Sequence, residues 1–193
     1  DMTDTNTTIE NENTSPNRPN RYDLAVRQVA AEKAWPEFRA WLIANDATEA
    51  EADTDREDVL PELADALEWS ESGYDVAQHL EHKGWDADDG LVDAARRLLA
   101  ALDVAHDAAV KSWVTTAKPA QRFAVGDAVQ FTHPGRPGRP TTGEVTRIDA
   151  ARAKYVVFCA SLGHVREGVG SHGTLVNFED ARPVATVPAP CDP

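Results

Sequence analysis

Lys118-Pro119-Ala120-Gln121-Arg122-Phe123-Ala124-Val125-Gly126-Asp127-Ala128-Val129-Gln130-Phe131 is where the hydrophobic period of this chain changes. Before it, apolar residues recur every three or four positions. Within it, Phe123, Val125, Val129 and Phe131 alternate with other residues around a Gly126-Asp127 turn, which is the period of a strand. Further runs of the same kind follow at Thr142–Ile148, Lys154–Cys159 and Thr174–Phe178, separated by Gly, Pro and Asp. Short strands packed into about 65 residues predict a small closed or nearly closed β-barrel.

Composition changes at the same place. Residues 1–117 hold 10 Lys and Arg against 26 Asp and Glu, a net of −16, whereas residues 118–193 hold 9 against 7, a net of +2. All five tryptophans lie in the first part and eight of the eleven glycines in the second. Such a shift predicts two modules of different architecture and different partners.

In the first part, residues 1–20 carry almost no apolar side chains and read as a disordered arm, with no feature of a secretory signal. Leu24, Val29, Trp35, Phe38, Trp41 and Leu42 then follow helical spacing, interrupted by Pro36, so one kinked helix or two short ones fit equally. Residues 45–58 read as an acidic link in which Thr54-x-x-Glu57 caps the next helix. Val59, Leu60, Leu63, Ala66 and Leu67 form that helix, with Pro61 expected in its first turn. Ser72 precedes a short helix, Tyr74 to Lys83, ending at Gly84. The longest helix is expected from Asp88 to Trp113 on the stripe Leu91, Ala95, Leu98, Leu99, Leu102, Ala105, Ala109 and Trp113.

In the second part, the ordered motifs Phe123-Ala-Val125-Gly126-Asp127-Ala-Val129, Gly143-Glu-Val145-Thr-Arg-Ile148-Asp149, Tyr155-Val-Val-Phe158 and Phe178-Glu-Asp-Ala-Arg-Pro-Val184 resemble those of SH3-like small barrels. That group includes Tudor-like and KOW-type modules and the barrel of nitrile hydratase β subunits. The similarity covers residues 122–185. It implies a barrel in which Val125-Gly126-Asp127 turns the chain into the first strand and Gly143 opens the second. The fold hosts unrelated functions; the resemblance allows a nucleic-acid-binding module or an accessory subunit of an enzyme complex.

The candidate binding loop is His133-Pro-Gly-Arg136-Pro-Gly-Arg139-Pro, where proline-stiffened turns display guanidinium groups suited to phosphate or carboxylate. Arg166 belongs to a second candidate, the glycine-rich run 163–173, which otherwise reads as a loop between strands. His79-x-x-His82 puts two rings on one helix face without a further strong ligand nearby, so no metal site is expected. Trp85-Asp-Ala-Asp88-Asp89-Gly90 is not a calcium loop, because its glycine comes one position early and Arg97 stands where a bidentate Glu belongs. The same aspartates would repel DNA phosphates from any recognition helix starting there. Cys159 and Cys191 are too few and too distant for a disulfide framework, and no nucleophile elbow is present.

The reading is therefore of the α+β class: a disordered arm (1–20), an acidic helical bundle (21–117), an SH3-like β-barrel (118–186) and a proline-rich tail (187–193). Two distant cysteines predict a reducing cytoplasm, and a pI near 4.7 with no apolar run of roughly 20 residues predicts no membrane attachment. The expected function is non-enzymatic: an adaptor or inhibitor whose acidic face docks on a basic protein partner. Asp53, Asp55, Glu57, Asp58, Asp86, Asp88 and Asp89 are the expected docking residues, and no cofactor is expected. The alternatives are a regulator that binds nucleic acid through the barrel, using His133, Arg136, Arg139 and Arg166, and the accessory subunit.

Overall fold

The computed structural model describes residues 17–133, 135–163 and 173–184. Four helices are followed by a five-stranded antiparallel sheet, so the chain is of the mixed α+β class. It divides into two compact units, Asp1–Trp113 and Val114–Pro193. The arm up to residue 16, the segment 164–172 with Arg166, and the tail from residue 185 lie outside the described residues.

The helices are α1 (Leu24–Ala44), α2 (Glu49–Ala66), α3 (Gly73–His82) and α4 (Asp89–Ala117). α1 passes unbroken through Pro36, which selects the single helix. Proline removes the bond to the carbonyl four residues earlier, here that of Glu32. Both Pro36 and Glu32 are exposed, so water can replace that bond. Ala30, Ala31, Ala34, Trp35 and Phe38 meanwhile remain buried in the core that all four helices share.

The acidic stretch expected as a link belongs mostly to α2. Its N-cap is Thr48, not Thr54: the Glu51 amide donates to Thr48 Oγ1 at 3.2 Å, and the Thr48 amide donates to Glu51 Oε2 at 2.8 Å. Thr54 Oγ1 donates instead to the Ala50 carbonyl one turn back, at 2.8 Å. Starting at Thr48 rather than at Thr54 gives more helical hydrogen bonds and buries Ala52 completely. Pro61 consequently lies deep inside α2 and not in its first turn; it and Glu57, whose carbonyl it leaves unbonded, are both exposed. α3 has the expected cap at Ser72, paired with Asp75, and is followed by Gly84 at φ 101°.

The last residues of the expected arm are anchored. The Arg18 guanidinium lies 4.7 Å from the centre of the Trp113 ring, His106 Nε2 donates to the Pro19 carbonyl at 3.2 Å, and Arg21 pairs with Asp103 at 3.0 Å. Cation–π contact and an ion pair fix this polar segment on α4 without apolar burial.

The strands are β1 (Ala128–Thr132), β2 (Pro140–Asp149), β3 (Lys154–Phe158), β4 (Thr174–Asn177) and β5 (Arg182–Pro183), in the order β4-β3-β2-β1-β5. The first strand begins at Ala128, later than the alternation from Phe123 predicts, and Val125 is 61% exposed. Residues 123–127 form a turn held by backbone bonds between Gly126 and Val145 (2.8 Å) and between Val145 and Asp127 (2.9 Å). Gly143 lies inside β2 and does not open it. A Cβ there would stand 2.5 Å from the Phe158 carbonyl oxygen and 2.6 Å from Cys159 Sγ, so close strand packing requires the glycine.

β4 and β5 occupy opposite edges of this sheet yet are joined by only residues 178–181. In a flat sheet those edges would be about 19 Å apart, four interstrand spacings. The connection contains a turn, Asp180 N to Asn177 O at 3.1 Å, which leaves it a reach of roughly 14 Å. The sheet therefore curls until its edges approach. A bulge at Thr146, where Val145 pairs with Val157 but Arg147 pairs with Val156, adds local twist. Val129, Phe131, Val145, Tyr155, Val157, Val176 and Phe178 are buried within it.

Candidate functional site

The helical unit carries a cleft of about 550 Å³ formed by the end of α1, the middle of α2 and the loop after α3. Trp41, from α1, and Trp85, just beyond Gly84, stack there with ring centres 5.5 Å apart and planes inclined by 21°. Phe38 meets Trp85 edge-on from the core at 6.2 Å. Each indole N–H is tied to a carboxylate: Trp85 Nε1 donates to Glu62 Oε2 at 2.8 Å, and Trp41 Nε1 donates to Asp88 Oδ1 at 2.7 Å. These bonds fix both rings while leaving them half-buried.

Around the indoles stand Asp46, Asp55, Asp58, Glu62 and Asp86, with Lys83 the one basic residue in the lining. Aromatic faces beside several carboxylates form a surface complementary to a cation, most of all to a planar guanidinium, which can stack and hydrogen-bond at once.

The expected docking residues separate in the structure. Asp55, Asp58 and Asp86 line the cleft. Glu57 is exposed on the same helix but is not part of the lining. Asp53 is engaged within the unit: Arg39 Nε and Nη2 donate to its two oxygens at 2.6 and 3.1 Å, and this bidentate bond holds its carboxyl below the ordinary range. Asp88 is held down by Trp41 and then by the Leu91 amide, which donates to the same Oδ1 at 2.7 Å. It is a cap of α4 and a support for the cleft. Asp89 is exposed in the first turn of α4.

The sequence reading missed the Trp41–Trp85 stack, Glu62 and Asp46. Trp41 sat in a core stripe and Trp85 stood alone after a glycine, so no local pattern joined them. Gly84 was the available signal, because a left-handed residue after α3 turns Trp85 back toward the core.

In the second unit, Arg136 and Arg139 lie on the connection between β1 and β2 and share a hollow of about 570 Å³ with Thr141, Thr142 and Ser161. His133 shapes the turn: its Nδ1 accepts from the Gly135 amide at 3.0 Å. Cys159 is fully buried, and burial pushes its thiol pKa up. His79 faces Asp65 at 3.4 Å and His82 Nδ1 donates to the Gln78 carbonyl at 2.7 Å. Among the described residues no group of His, Cys, Asp and Glu is arranged to hold a metal, and no helix is long and apolar enough to cross a membrane. Comparisons with protein-family models, with curated proteins and with solved structures find no match.

Proposed function

We propose that the protein is a non-enzymatic adaptor or inhibitor that works by protein–protein contact, its acidic helical bundle capturing a basic segment of a partner. The observation that carries this reading is the Trp41–Trp85 stack with five carboxylate side chains around it. The cleft volume falls in the range of recognition pockets, large enough for an anchoring side chain and its neighbours. The formal charge of −16 on residues 1–117 steers a basic partner toward it and makes association salt-dependent. The short β4–β5 connection and the curled sheet support reading the second unit as an SH3-like barrel, a scaffold for a further contact. The cytoplasm is the compartment proposed for this activity.

The test is titration of the full chain with an arginine-containing basic peptide, followed by calorimetry and tryptophan fluorescence. Binding should weaken as salt rises, and Trp85→Ala should weaken it roughly 2- to 30-fold, the span of a cation–π contact. Glu71→Gln, an acidic change outside the cleft, should leave affinity within about 2-fold at fixed salt. Equal binding by Trp85→Ala and the parent would remove the cleft from the proposal.

A further inference from the structure

We infer that the hollow beside the Arg136–Arg139 turn is an anion site for a single phosphomonoester group. Its walls are rigid for a loop. The Arg136 amide donates to the His133 carbonyl at 2.9 Å and the Arg139 amide to the Arg136 carbonyl at 3.3 Å, giving successive tight turns. Pro137 and Pro140 fix φ at their positions, and Gly138 supplies a left-handed residue at φ 77°. This backbone sends two arginines three residues apart into one hollow, opposite Ser161 of the short 3₁₀ turn after β3.

The electrostatics point to an anionic occupant. Several described arginines are matched: Arg21, Arg39, Arg56, Arg96, Arg97 and Arg152 each face a carboxylate within 4 Å. Arg136 and Arg139 are exposed and have no such partner among the described residues, although the chain holds 33 acidic residues against 19 basic ones. The described lining of the hollow contains two guanidinium groups, three hydroxyl-bearing residues and no carboxylate. Converging cations repel each other, and donors in this combination match the terminal oxygens of a phosphate.

The number of charges selects the ligand. Two arginines satisfy one phosphate; they do not form the basic track that follows a nucleic-acid backbone. The net charge of −14 also opposes a polyanion more strongly than a small dianion. The occupant is thus a phosphomonoester, carried by a small metabolite or a phosphorylated side chain.

The full chain should be titrated at constant ionic strength with inorganic phosphate, adenosine 5′-monophosphate, a phosphoserine peptide with its unphosphorylated twin, and a single-stranded oligonucleotide lacking terminal phosphates. The three phosphomonoanion and monoester probes should compete for one site, and the unphosphorylated peptide should not displace them. Arg136→Ala with Arg139→Ala should weaken phosphate binding at least about 10-fold, and Arg139→Glu alone should do the same. Arg147→Ala, on the same unit outside the hollow, should bind as the parent does. Unchanged binding in the folded double variant would overturn the assignment. So would an oligonucleotide that binds more tightly than every monoester, because a nucleic-acid strand would then be the ligand. The relative affinities for the nucleotide and the phosphopeptide identify the carrier of the phosphate.

Discussion

Trp41 donates its indole N–H to Asp88 Oδ1 at 2.7 Å, and the same oxygen accepts the Leu91 amide at 2.7 Å. One carboxylate thus caps α4 and fixes one wall of the acidic cleft. Asp88→Ala removes both bonds, so it should lower the Tm of the helical unit, shift tryptophan emission and weaken binding of the basic peptide. Asp88→Asn keeps an acceptor at the same place and should retain most of both properties. If the alanine variant kept parental emission and affinity, Trp41 would be held by packing alone.

Helix caps and ion pairs also make this unit sensitive to acid. Asp88, Asp75, Glu51 and Asp53 are all held below the ordinary carboxylate range, by Trp41, Ser72, Thr48 and Arg39 respectively. A depressed pKa in the folded state means that the unfolded chain binds more protons as the solution turns acidic. The stability these groups contribute is complete above about pH 4.5, the unfolded range, and is lost as pH falls through the folded values. Helical circular dichroism should therefore melt at progressively lower temperature below about pH 4.5. Asp75→Asn, which removes one such group, should make that decline shallower; an identical slope would show that its cap does not titrate with folding.

The two architectures were legible because each rests on a long-range period. The apolar stripe of α4 from Leu91 to Ala105 and the alternation near Val129 and Phe131 both survive in the folded chain. Local rules failed where solvent decides. Pro36 read as a kink or a break and Pro61 as a first-turn residue, but both lie inside helices on exposed faces, where water can bond the carbonyl each leaves free. Thr54 was read as the cap of α2, whereas the helix starts at Thr48, where the earlier start adds helical bonds and buries Ala52. No sequence pattern marks Arg27, a charged residue that is only 8% exposed because Nη1 donates to the Ala64 carbonyl at 2.7 Å and Nε to the Tyr22 carbonyl at 3.0 Å. The cleft was half legible: Asp55, Asp58 and Asp86 stood out by charge, whereas the tryptophans that give it shape come from distant segments.

Pro61 gives a direct measure of what such an interior proline costs. Pro61→Ala restores a donor for the Glu57 carbonyl and removes the ring from an exposed position of α2. The helix gain of up to about 3 kcal/mol is partly offset by the freer unfolded chain, about 0.4–1 kcal/mol. Urea denaturation should show a net stabilisation of about 1–2 kcal/mol with an unchanged m value. A destabilised variant would mean that the proline serves the native structure.

Tyr155 tests the sheet unit. Its ring is fully buried between Phe123, at 5.9 Å, and Phe178, at 4.4 Å. Its hydroxyl accepts the amides of Arg122 and Phe123 at 2.9 and 3.1 Å, fastening the segment before β1 to β3. Tyr155→Phe keeps the ring and removes the acceptor, leaving two part-buried N–H groups without it, at a cost of about 1–3 kcal/mol. Hydrogen exchange should report the loss locally: the Arg122 and Phe123 amides should exchange much faster than in the parent, while those of Val156 and Val157 follow the global stability. Parental protection at residues 122 and 123 would show that the segment is held by Phe123 packing rather than by the tyrosine hydroxyl.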